Sequence, residues 1–215
     1  NDLIIKSQDI LLNAPLNIKR KAEGKDLANI IWPWSGGYRP AMQTLSEIYP
    51  SVKSGAVVSA VDLIRGIGHY AGLDIIEVEG ATGLWDTNYE GKTKAALDEL
   101  KKKDFVFLHV EASDEAGHDG EVDLKVKTIE NLDSRMIGPI YEEVKTWDEP
   151  VCIAILPDHF TPVELRVHVG EPVPFIIYYP GIEPDDTQVY DEVSCVTGSY
   201  GILKLQEFMQ TIMKY

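Results

Sequence analysis

Five side chains able to bind a metal ion sit in two short stretches of this sequence. In EASDEAGHDG, Asp114 and His118 are four residues apart; in LPDHFTPVELRVHVG, Asp158 and His159 are adjacent and His168 lies nine residues further on. Carboxylate oxygens and imidazole nitrogens form the mixed donor set that suits Mn²⁺ or Zn²⁺, and five such ligands fall one or two short of filling a two-metal site. If residues 114–118 turn helically, the spacing puts both groups on one face, where they can hold one ion. Taken singly, each residue has a plainer reading. Asp114 is then a solvated carboxylate, His118 a capping or core imidazole, Asp158 and His159 a chance pair, and His168 a satisfied ring on a strand edge. Their joint placement favours the metal site. Each stretch directly follows an apolar run, DFVFLHV or VCIAI, and in open α/β sheets ligands bind beyond the carboxyl ends of strands.

The remaining imidazoles carry weaker signals. His109 lies inside the run DFVFLHV and reads as a structural ring, or as a partner behind the ligands. His69 in GIGHYAG sits near a helix end, where the helix dipole favours it. That segment lacks the spacing of a dinucleotide fingerprint, and no Walker-type loop occurs.

The elements that must position these groups alternate. Residues 3–14 predict a short helix ending before Pro15, and NIIWPWSGGYRP predicts a rigid loop with Trp32 and Trp34 as packing anchors. From Gly55 onward AVVSAV reads as a strand, DLIRGIGHYAG as a helix ending at Gly72, and LDIIEV as a strand. A helix is predicted at 89–103, a strand in DFVFLHVEA, a long helical stretch at 121–147, strands in VCIAILP and PVPFIIYYP, and a closing amphipathic helix in SYGILKLQEFMQTIMKY. The pattern is that of an α/β layered domain over residues 50–215, with residues 1–49 the remnant of a preceding or inserted module.

Composition bounds the function. With 215 residues, 44% apolar and 26% charged, the chain is long enough for one sizeable core. No apolar run reaches the ~18 residues of a membrane span. A formal charge of −15 repels nucleic-acid phosphates, whereas a small phosphorylated substrate remains compatible if metal ions supply local positive charge. Two cysteines, Cys152 in an apolar run and Cys195 near a turn, read as buried free thiols of a cytoplasmic protein. The chain begins Asn-Asp without a signal sequence and is expected to be a fragment.

Together VEASDEAGHDG, PDHFTPVELRVHVGEPVPF, SAVDLIRGIGHYAGLDIIEVEGATG and NIIWPWSGGYRP resemble the archaeal-type cofactor-independent phosphoglycerate mutases, of the alkaline phosphatase superfamily, over nearly the whole chain. The resemblance implies an alkaline-phosphatase-like α/β/α layered sheet, incomplete at the N-terminus, and two divalent metal ions, Mn or Zn. It implies that Asp114, His118 and His168 share one ion, and Asp158 and His159 the other. Adjacent residues on a straight strand point to opposite faces, so both reach one ion only if the strand has ended, as Pro157 suggests. In the family's mechanism a metal-activated serine takes the phosphoryl group of 3-phosphoglycerate and returns it to the 2-hydroxyl of glycerate. That serine and an early metal-binding Asp are expected upstream of this chain. The family's Trp-Gly-x-Gly segment reads WSGG here, with Arg39 following as a substrate-binding candidate. The shared motifs also fit a homoserine kinase-like phosphotransferase, or a metal-stabilised domain without catalysis. Ser113 and Thr161 flank ligands, but neither occupies a nucleophile's context; Ser113 reads as a cap for the turn carrying Asp114.

Overall fold

The computed structural model describes residues 1–33 and 36–215; Trp34, one of the two expected anchors, lies outside the described residues. The chain divides into two compact units, Asn1–Ala41 and Met42–Tyr215. In the first, α1 (Asp2–Leu12) and α2 (Pro15–Ala22) follow one another, Pro15 opening the second helix with its preset φ and no donor to waste. Two buried polar side chains hold the extended chain that follows. Asn17 Nδ2 donates to the carbonyls of Leu11 and Ala28, both at 2.6 Å, and its Oδ1 accepts from the Ala28 amide at 3.1 Å. Ser7 Oγ accepts from the Ile31 amide at 3.0 Å. Trp32 is not an anchor: it is 74% exposed, because polar staples rather than indole packing fix this stretch.

In the second unit α3 (Leu45–Ile48) opens on a capping box between Thr44 and Glu47. Then come β1 (Gly55–Val58), α4 (Asp62–Tyr70), β2 (Asp74–Ile76), α5 (Tyr89–Leu100) and β3 (Phe105–Leu108), the strands pairing in parallel in the order β2-β1-β3. β1 is buried along its whole length, as a central strand covered on both faces must be. Gly68 of α4 lies so close to β1 that a Cβ there would stand 2.5 Å from Val57 Cγ1. Tyr89, Ala112 and Met136 form the buried centre, with Leu108, Val110 and Leu132 packed on it.

Beyond β3 the chain enters α6 (Ala112–Asp119), turns at Gly120 and returns in α7 (Val122–Leu132). The stretch read as one helix over 121–147 is broken by a π turn, Asp133–Ile137, before α8 (Gly138–Val144). Pro139 has no N–H for the Arg135 carbonyl, and Thr93 Oγ1 donates to it instead at 3.1 Å.

β4 (Ile153–Ile155) and β5 (Ile176–Tyr178) form a separate antiparallel pair. The expected α/β layered sheet is the parallel β2-β1-β3 sheet, and this pair stands apart from it. Prolines at 150, 157, 174 and 180 bound both strands, and residues without a donor keep them to three residues each. The chain closes in α9 (Leu205–Ile212), whose Phe208 meets Phe175 edge to face at 5.3 Å. Cys152 and Cys195 are free thiols, half-buried rather than buried. Among the described residues no helix is long and apolar enough to cross a membrane.

Candidate metal centre

α6 starts four residues after β3 ends, so the helix lies at the carboxyl edge of the parallel sheet and presents Asp114 and His118 one turn apart. Ser113 is not its cap; that position belongs to Glu111, and Ser113 sits inside the first turn. β4 ends at Ile155, before Pro157, so Asp158 and His159 lie on a loop free of the strand's alternation. This loop closes on itself through an antiparallel bridge between Phe160 and Val169. Side chains alternate across such a bridge, so His159, Thr161 and His168 share one face and diagonal neighbours come within reach. The His159 and His168 rings stack with centroids 3.6 Å apart.

Asp114 is the hub. Its Oδ2 is 3.4 Å from His118 Nε2 and its Oδ1 is 3.4 Å from His168 Nε2, while the two Nε2 atoms are 3.0 Å apart. Donor atoms of these three residues lie within 4.8 Å of one another. An ion bonded at about 2.1 Å to each holds its ligands about 3.0 to 3.4 Å apart, so the trio has the separations of a coordination sphere. His159 Nδ1 is 3.9 Å from Asp114 Oδ1, and His159 Nε2 is 3.4 Å from Asp158 Oδ2. All five sequence-predicted ligands therefore gather in one place.

The partners of two of the rings suit metal binding. His118 Nδ1 is 2.9 Å from the Arg166 carbonyl, which only accepts, so Nδ1 carries the proton and Nε2 keeps its lone pair. Arg166 is the one non-glycine residue with positive φ (57°) among the described residues, and its amide N–H donates a hydrogen bond to the Pro162 carbonyl at 2.8 Å. Thr161 Oγ1 donates to Asp114 Oδ1 and lies 3.3 Å from His159 Nδ1, so its oxygen accepts from that ring and His159 Nε2 is likewise left free.

Other groups were missed in the sequence. Glu111 and Glu115 lie within 4.8 Å of Asp114. Burial, reinforced by Asp114, Glu115 and Asp158, pushes the Glu111 carboxyl up, and its buried Oε2 has no hydrogen-bond partner among the described residues. Lys92, fully buried, donates to the His109 carbonyl at 3.3 Å; burial pulls its ammonium down while Glu111 opposes that. Glu111 and Glu115 stand three residues before and one after Asp114 on the same helical turn, a local spacing, whereas Lys92 joins them only by folding. Thr161, weighed as a substitute nucleophile, is 3% exposed with its proton committed to Asp114. Arg39 belongs to the first unit and is exposed.

Residues 43–215 match the profile of the metalloenzyme superfamily. The whole chain is 48% identical to the 2,3-bisphosphoglycerate-independent phosphoglycerate mutase of Methanosarcina barkeri, covering 54% of that protein. A Geobacter sulfurreducens protein described as a probable mutase of the same name is 49% identical over 82% of the chain and 44% of its own length. Among solved structures, a Pyrococcus horikoshii protein superposes with TM-score 0.86 at 38% identity, over 98% of this chain and 55% of that one. The cofactor-independent phosphoglycerate mutase of Thermoplasma acidophilum superposes with TM-score 0.62 at 25% identity, over 98% and 49%. The chain thus spans about half the length of the relatives it matches.

Proposed function

The chain belongs to the metalloenzyme superfamily, with its alkaline-phosphatase-like α/β fold, and from that premise we propose that it carries the metal-binding part of a phosphoglycerate mutase. The observation that carries the reading is the trio Asp114, His118 and His168, spaced as ligands of one ion, with the Arg166 carbonyl holding the His118 lone pair toward the others. Asp158 and His159 would contribute to a second ion beside it. Residues 50–215 are the metal-binding domain in this reading, and residues 1–49 belong to a neighbouring module. Arg39 is proposed as a substrate-binding residue on the resemblance of its loop alone.

Bound Mn²⁺ or Zn²⁺ would supply positive charge that neutralises a transferring phosphoryl group. The chain's own residues hold the ligands. Asp114 supplies both carboxylate oxygens toward the imidazoles, and a backbone carbonyl and a hydroxyl orient the His118 and His159 rings. A serine nucleophile would come from outside these 215 residues, because Thr161 is buried and bonded and Ser113 is within a helix; the half-length match to full mutases supports this. The substrate is then 3-phosphoglycerate, interconverted with 2-phosphoglycerate in the cytoplasm by the full-length enzyme, and the chain alone is catalytically silent. A homoserine kinase-like phosphotransferase of the same superfamily would share this metal set and differ in substrate.

Calorimetry tests the core of the reading. Mn²⁺ or Zn²⁺ should bind the chain, and His118→Ala or Asp114→Asn should remove the binding. Inorganic phosphate should bind only after metal, since unmetallated carboxylates repel an anion; equal phosphate binding with a chelator present would overturn it. Full-length protein assayed with 3-phosphoglycerate, and separately with homoserine and ATP, distinguishes the two activities.

A further inference from the structure

We infer that Thr161 and Lys125 are positioning residues for the metal centre, a two-bond clamp that presses the loop carrying Asp158, His159 and His168 onto the helix carrying Asp114 and His118; this rests on the metal reading above. The Thr161 hydroxyl has one proton and two neighbours. It gives the proton to Asp114 Oδ1 and accepts from His159 Nδ1 at 3.3 Å, so one oxygen orients a ligand from each stretch and sets the tautomer that leaves His159 Nε2 free. The backbone of the same residue is gripped from the other side. Lys125 Nζ, half-buried on α7, donates to the Thr161 carbonyl at 2.6 Å.

Packing makes room for this grip. On α6, Gly117 faces both partners: a Cβ there would fall inside van der Waals contact of the Thr161 carbonyl and 3.0 Å from Lys125 Nζ. A side chain at 117 would push the loop away from Asp114, which precedes it by one turn. The Lys125 backbone is itself braced by Thr128, whose hydroxyl donates to the Lys125 carbonyl at 2.7 Å. Lys125 reaches the centre through a carbonyl, not through a ligand side chain, so substituting it leaves all five candidate ligands chemically intact.

The sign of the effect separates positioning from plain electrostatics. Removing a cation near a divalent-ion site tightens metal binding by charge alone. Removing a clamp loosens the ligands and weakens it, by about tenfold or more for partners behind metal ligands. Mn²⁺ binding to the 215-residue chain is therefore measured calorimetrically for Lys125→Met, Thr161→Val and Thr161→Ser, with Co²⁺ visible spectra recorded on the same proteins. Lys125→Met and Thr161→Val are expected to bind Mn²⁺ about tenfold more weakly and to change the Co²⁺ spectrum, while Thr161→Ser, which keeps the hydroxyl, stays near the unsubstituted protein. Unchanged or tighter binding by Lys125→Met, or unchanged binding by Thr161→Val, overturns the clamp while leaving the metal reading intact. Should Lys125→Met not fold, the Val and Ser pair at Thr161 decides by itself. No Mn²⁺ or Co²⁺ binding by the unsubstituted chain overturns the metal reading and the clamp with it.

Discussion

At the scale of single residues, His109 shows how burial favours one charge state. Ser59 Oγ accepts from the Val61 amide at 3.1 Å and lies 3.2 Å from His109 Nδ1. Burial pulls the imidazole below its ordinary value near 6.5, Lys92 adds to this, and Asp158 and Asp114 oppose it. Below that ordinary value the unfolded chain takes up a proton that the folded ring refuses. Stability from neutral His109 is thus complete above about pH 6.5 and lost as pH falls through the lower folded value. In thermal melts with a chelator, His109→Asn should flatten this part of the Tm against pH curve; an unchanged slope would assign the pH dependence to other groups.

At the scale of elements, two glycines of α4 make opposite predictions. A Cβ at Gly68 meets Val57 Cγ1 at 2.5 Å and Ile75 Cδ1 at 3.6 Å, so the helix can lie on β1 and β2 only without one. Gly68→Ala is expected to destabilise by about 1–3 kcal/mol in denaturant unfolding through overpacking. Gly66, two residues earlier, has nothing within 4 Å of the same atom. Gly66→Ala should stabilise by roughly 0.5–1 kcal/mol, since alanine restricts the unfolded chain and favours helix.

At the scale of the whole molecule, the centre joins parts of the second unit that share no strand pairing. Asp114 and His118 follow the parallel sheet, and Asp158, His159 and His168 lie between the two antiparallel strands. An ion bound by both sides would link them, and it would favour the folded chain because the two stretches are far apart when it unfolds. Mn²⁺ at about one hundred times its Kd should stabilise the chain by about 2.7 kcal/mol. The check is a rise in Tm that a chelator reverses and that His118→Ala lacks. With a formal charge of −15, part of any rise could come from screening, so an equal ionic strength of NaCl should give a smaller shift.

The positions of β1, α4, β2 and β3 were legible in the sequence, because apolar periodicity and glycine stops act over a few residues and need no distant partner. So was the presence of the five candidate ligands in two stretches after strand-like runs, four of them immediately after. The division of the strands into two sheets was not, since it depends on which backbone donors find partners across the fold. Nor were Thr161, Lys125 and the Arg166 carbonyl identifiable as supports of the centre. Their bonds span 47 residues from Thr161 to Asp114, 36 from Lys125 to Thr161 and 48 from His118 to Arg166. Residue type and local spacing name the groups able to bind an ion. The tautomer, orientation and separation that let them bind one are set by hydrogen bonds that exist only once the loop has packed against α6 and α7.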